Sequence, residues 1–126
     1  MKLLFFLSVI FSLSISADKC GTKKAETSGK FKAKLEIKAI CMNYTLRLIE
    51  GNIDTSLIMA SWIDESTGKS YKNVFGLGSP CTFPPNIEQG DDFYFMIDTT
   101  QKEQCAVCLA YYPTPSRKLS IKVLDN

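Results

Sequence analysis

The sequence predicts an all-β fold: a small closed or partly open barrel of six to seven strands, OB-like, with a bulged long first strand, and a β-sandwich as the alternative. Three observations carry this. Residues 30–39 alternate strictly between apolar and polar side chains, the period of a strand with one buried and one solvated face. Beyond Ala39 the apolar positions change parity with no Gly, Pro or Asn-Gly between the halves, as one extra residue in a continuous strand would cause. The remainder is a series of short apolar runs divided by Gly, Pro, Asn and Asp, the punctuation of barrels and sandwiches.

In the first run Phe31, Ala33, Leu35, Ile37 and Ala39 face inward, and Lys30, Lys32, Lys34, Glu36 and Lys38 face solvent. After a β-bulge over residues 39–41, Ile40, Met42, Tyr44, Leu46 and Leu48 take the inner face. A long bent strand that serves both sides of a small barrel is an OB-type feature. Glu50, Gly51 and Asn52 then turn the chain, and residues 53–57 make one helical turn capped by Asp54. Residues 58–64 and 70–77 form a hairpin around Gly68, which takes a left-handed conformation. Residues 78–89 hold Pro80, Pro84 and Pro85 and form a loop stapled by Cys81. Residues 92–98 are a strand with Phe93, Phe95 and Ile97 inward. Residues 104–112 (QCAVCLAYY) are read as another strand, ended by Pro113 and Pro115, and residues 118–124 close the domain with Leu119, Ile121 and Val123 inward.

Ahead of this lies MKLLFFLSVIFSLSISADKC. One lysine, a short apolar run and small residues before Asp18 predict a signal peptide over residues 1–17, cleaved near Ala17. The run is too short for a membrane-spanning helix, and no transmembrane segment is expected in the mature chain. Residues 18–29 are a polar N-terminal arm and 30–126 a single domain. The protein is therefore expected to be secreted or periplasmic. Lipid anchoring through Cys20 is a minor alternative, because Lys19 stands where lipoprotein processing takes a small residue.

The chain contains no histidine. That removes Ser-His-Asp and Cys-His nucleophiles, histidine-ligated zinc and the usual general base near neutral pH. No catalytic constellation, metal or cofactor is expected. With 15 Lys and Arg against 13 Asp and Glu, the charge balance argues against a nucleic-acid partner. The stripe of Lys30, Lys32, Lys34 and Lys38 is first a solvated strand face.

The five cysteines are Cys20, Cys41, Cys81, Cys105 and Cys108. A redox CxxC sits at a helix N-terminus in an α/β setting, whereas CAVC lies in a short run soon ended by Pro113. Zinc bound by cysteines alone would call for a second CxxC pair, and an exported chain favours oxidation. Cys105 and Cys108 are therefore expected to serve two different structural disulfides, with Cys20 the odd thiol and the connectivity open.

Among other candidates, Asn43-Tyr44-Thr45 is a glycosylation sequon inside a predicted strand. Asp64-Glu65 and Asp91-Asp92 are acidic pairs at turns, where acids are common without any catalytic or calcium role. Trp62, Tyr94, Met96, Tyr111 and Tyr112 could form an aromatic binding face, although such side chains more often fill a barrel.

The stretches KFKAKLEIKAICMNYTLRLIEG, GDDFYFMID and CAVCLAYYPTPSRKLSIKV resemble small secreted proteins of Gram-negative bacteria with no assigned activity. The resemblance implies location and no chemistry. The leading functional expectation is an exported, disulfide-stabilised, non-catalytic domain that binds a protein or small ligand. Two others stand beside it: a thiol-active periplasmic protein using Cys105 and Cys108, and an oligosaccharide- or polyanion-binding module using the lysine stripe.

Overall fold

A computed structural model describes residues 29–100, 105–106 and 108–125. The predicted signal peptide, its cleavage site, Cys20 and nearly all of the polar arm lie outside these residues. The fold is all-β and the barrel is partly open. Its strands are β1 (Phe31–Lys38), β2 (Tyr44–Glu50), β3 (Met59–Ile63), β4 (Ser70–Leu77), β5 (Asp92–Ile97), β6 (Lys118–Leu119) and β7 (Ile121–Val123).

The strands follow the order β3-β4-β2-β1-β5-β7, and β6 lies parallel to β4. All other pairings are antiparallel. The C-terminal segment reaches both sides of the sheet. Gly76 and Gly78 donate backbone hydrogen bonds to Arg117 and Leu119, while Asp98 donates to Ser120. So strong a curl follows from the twist of strands packed round one core. Gly78 permits the approach on the β4 side, since a Cβ there would come within 2.8 Å of the Leu119 carbonyl carbon.

The core holds the inner residues that alternation predicts, Phe31, Ala33 and Leu35 of β1, Tyr44 and Leu46 of β2, Phe93 and Phe95 of β5, with Leu119 and Ile121, and adds Phe75 and Leu77 from the end of β4, where four consecutive residues are buried. Phe95 is at its centre, with ring centroids 5.5 Å from Phe31, 5.7 Å from Phe75 and 6.3 Å from Phe93. Ile53 and Ile58, on either side of a 3₁₀ turn at Thr55–Leu57, close one part of it, and Phe83 and Ile87 of the long loop close another. The Asp54 side chain caps that turn by accepting from the Ser56 N–H, and Gly68 is left-handed at φ +74°, as expected.

Two expectations are corrected. The chain does not continue as one bulged strand through residues 39–41. It reverses there, and β1 and β2 form an antiparallel hairpin in which Lys38 faces Tyr44. Cys41 and Met42 both take positive φ, 56° and 58°, and Asn43 N–H donates to the Ile40 carbonyl. Two central residues with positive φ make the turn whose twist suits a tight hairpin, a place normally filled by Asn and Gly. Register shifts do occur, but inside the β1–β2 ladder, at Lys32/Ala33 and at Leu35/Ile37.

The second correction concerns CAVC. Residues 105–106 and 108–117 carry no strand. Pro113 and Pro115 remove two backbone donors, and the two cysteines are fastened to different parts of the barrel.

Candidate functional site

The described residues 105–106 and 108–117 form a strand-free strap that is fastened at several places. Cys108 is bridged to Cys41 in the β1–β2 turn, and Cys105 to Cys81 in the loop after β4. The Cα separations, 5.2 and 5.6 Å, are ordinary for disulfides. Asn43 Nδ2 donates to the Ala110 carbonyl at 2.9 Å as well as to that of Ile40. Tyr112 Oη donates to Asp64 Oδ2 at 3.0 Å, and Ser116 Oγ reaches Met59 Sδ at 3.4 Å. Two disulfides are the mark of an oxidising, extracellular or periplasmic compartment.

The pairing decides between the readings of CAVC. A redox couple would join Cys105 to Cys108; each is instead joined to a distant residue, as a structural pair of bridges requires. Four of the five cysteines are thereby used, and Cys20, expected to be the odd thiol, lies outside the described residues.

Asp64 is the most buried carboxylate of the described residues. It accepts from Ser66 N–H and Ser66 Oγ at 2.9 and 2.7 Å, and from Tyr112. Burial pushes its carboxyl up, but the donors from Ser66, Tyr112 and Thr67 outweigh this and hold it below the usual aspartate range. The Ser56 backbone N–H, with the Ser56 side chain, likewise lowers Asp54. Both acids therefore work as local acceptors in turns. Asp91 does the same for the Glu88 N–H, so one acid of each pair serves turn geometry, while Asp92 is paired with Lys34.

Between the strap, the β1–β2 turn and the end of β4 lies an open cleft of about 460 Å³. Its walls include Met42, Leu77, Pro80, Leu109, Ala110 and Tyr111, with both strap cysteines and Lys118. Leu109 is 97% exposed and Tyr111 77%, while Ile40, next to the bridged Cys41, is 61% exposed. Sequence reasoning marked Tyr111 but not Leu109, Met42 or Ile40. The apolar run gave a signal for Leu109, yet nothing local distinguishes an exposed leucine from a core one.

The five aromatic and methionine candidates do not form one face. Trp62 on β3 packs on Tyr71 of β4 with centroids 5.9 Å apart. Tyr94 and Met96 lie on β5, and β4, β2 and β1 intervene between β3 and β5. Tyr94 is covered by Lys30 Nζ at 4.2 Å and approached by Lys32 Nζ at 5.5 Å. Tyr112 is engaged with Asp64 and Ser66. Only Tyr111 borders the cleft.

The lysine stripe is divided too. Lys38 turns to Glu88 at 3.0 Å and to the Ile87 carbonyl at 2.9 Å. Lys32 approaches Glu50 at 3.8 Å and Lys34 approaches Asp92 at 3.9 Å, pairs with a partly exposed lysine and a more exposed acid.

Among the described residues, no group of three or more His, Cys, Asp or Glu side chains is placed to hold a metal ion. No helix among them is long and apolar enough to cross a membrane. Compared with known protein families, with curated proteins and with solved structures, the chain matches none.

Proposed function

We propose that this small, disulfide-stabilised β domain is an exported, non-catalytic binding module that takes an apolar partner group in the cleft beside the strap. One observation carries the reading: Ile40, Leu109 and Tyr111 expose large apolar surface where disulfides pin the backbone. Apolar side chains gathered in this way favour association. A backbone already fixed loses less conformational freedom when a ligand arrives. The non-catalytic part rests on the lack of histidine and on the turn roles of Asp54 and Asp64. The export part rests on the signal-peptide pattern of residues 1–17, together with the oxidised cysteines and the resemblance to small secreted bacterial proteins. We further read the barrel as OB-like. In support, one C-terminal segment pairs with β4 in parallel and with β5 in antiparallel fashion.

The test is a titration of isotope-labelled, oxidised protein with a panel of short apolar peptides and aromatic fragments, followed by amide chemical shifts. Bound members should perturb Met42, Gly78 and residues 109–111. Leu109→Asp combined with Tyr111→Ser should weaken that binding at least about tenfold while the β-sheet shifts stay in place. Perturbations confined to other surfaces, or unchanged in the double variant, would sink the proposal.

A further inference from the structure

The outer face of the sheet carries a second concavity, with no lining residue in common with the strap cleft. It is a shallow depression of about 390 Å³ across β1, β2 and β4, bordered by Lys34, Glu36, Arg47, Lys69, Ser70, Tyr71 and Lys72. Pairing across the sheet makes it. Lys34 faces Arg47 in the β1–β2 ladder, Arg47 faces Val74 of β4, and the start of β4 brings in Ser70 to Lys72. Four cations, Lys34, Arg47, Lys69 and Lys72, thus border one depression together with a single carboxylate, Glu36. That carboxylate is already engaged, since Glu36 Oε1 accepts from Arg47 Nε at 2.6 Å. Lys34 has its acid, Asp92, at 3.9 Å in an exposed pair, an arrangement an incoming anion can replace at little cost.

From this convergence we infer an acidic-saccharide site: the depression over Lys34, Arg47, Lys69, Tyr71 and Lys72 receives a carboxylated or sulfated sugar unit of an anionic polysaccharide. The volume is within the range of small-ligand clefts. The cations supply charge-assisted hydrogen bonds to the acid group, and Ser70 and Tyr71 supply hydroxyls for the ring substituents. Beyond the depression, Lys32 of β1 and Lys30 just before it both stand over the Tyr94 ring, so neighbouring acidic units of a polymer meet further cations.

A single-stranded nucleic acid fits less well. Bases need open aromatic faces to stack upon. Tyr71 packs against Trp62 and has Lys69 Nζ 5.0 Å from its ring centre, while Tyr94 lies under Lys30. An anionic membrane would need projecting apolar anchors, and the lining of the depression has none.

The experiment uses the oxidised, full-length exported protein with heparin as the sulfated probe, polygalacturonate as the carboxylated one and dextran as the neutral control. An oligothymidylate and vesicles rich in an anionic lipid are run beside them. At least one acidic polysaccharide should bind and dextran should not. Lys34→Gln with Lys72→Gln should lower that affinity at least about tenfold and reduce the slope of log K against log salt by about one per lysine. Lys118→Gln, at the strap cleft, should leave it unchanged, as should Leu109→Asp with Tyr111→Ser, so failure of the cleft proposal is seen separately. Unfolding midpoints of the variants confirm that each is folded. Absence of binding to both acidic polysaccharides, or an equal loss in Lys118→Gln, overturns the assignment. So does tighter binding of oligothymidylate or vesicles.

Discussion

Asp64 shows how one buried side chain fastens distant chain segments. Its carboxylate ends β3, receives the hairpin through Ser66 and receives the strap through Tyr112. The folded state favours the charged form, because the carboxyl is held below its ordinary range. Its contribution is then fully present above the unfolded value, about 3.9, and is lost as pH falls through the lower folded value. Asp64→Asn should cost about 1–3 kcal/mol at neutral pH, since an amide nitrogen would meet donors where an oxygen accepted. As pH falls from about 5 through the lowered folded value, the stability gap between wild type and variant should narrow. Thermal melts across that window measure it; a gap that stays constant would show that Asp64 is not held in this charged network. At this scale Asp64 was legible as a turn acid, and Gly68 as a left-handed position. The Tyr112 contact was not, because 48 residues separate the partners.

Among the elements, the β1–β2 hairpin and the strap depend on each other. Cys41 sits in an uncommon left-handed turn, and its bridge to Cys108 ties that turn to the strap. The two bridges close segments of very different length, with separations of 67 and 24 residues. The shorter loop lies inside the longer one, and in the chain-entropy account each bridge contributes about 2–4 kcal/mol, the outer one roughly 0.5 kcal/mol more than the inner while the other stays closed. Replacing Cys41 and Cys108 together by serine should therefore destabilise the domain more than replacing Cys81 and Cys105. Denaturant midpoints of the two paired variants test this, and the reverse order would contradict it. Strand β5 follows its sequence pattern because its alternate residues Phe93 and Phe95 are buried, and β3 and β4 follow theirs because the turn at Gly68 borders both. The hairpin turn at residues 40–42 escaped because its residues carry no turn chemistry. Parity alone cannot separate a bulge from a reversal: both displace the apolar positions by one.

For the whole molecule, stability concentrates in the aromatic cluster around Phe95, which is fully buried and contacts rings from β1, β4 and β5. Phe95→Ala should cost about 3–5 kcal/mol, a large share of the roughly 5–15 kcal/mol that holds a small domain. Met96→Ala, next along the strand but 42% exposed, should cost far less. Equilibrium unfolding of the pair checks this contrast, and equal losses would mean that β5 does not present its odd residues to the core.

What the amino-acid sequence determined by itself is everything that acts locally or by period. It specified an all-β domain, the inner residues of β1, β5 and the C-terminal strands, the Asp54 and Gly68 turns, and the separate partners of Cys105 and Cys108. These follow from alternation, steric preferences and the reach of neighbouring side chains. Tertiary structure alone decided the cysteine connectivity, the strand-free strap, the cleft with Leu109 exposed at its rim, and the meeting of Lys34 with Arg47, Lys69 and Lys72. Each of these depends on which strands lie side by side. That choice is made by collective packing around Phe95 and by the curl of the sheet, interactions that no short stretch of sequence contains.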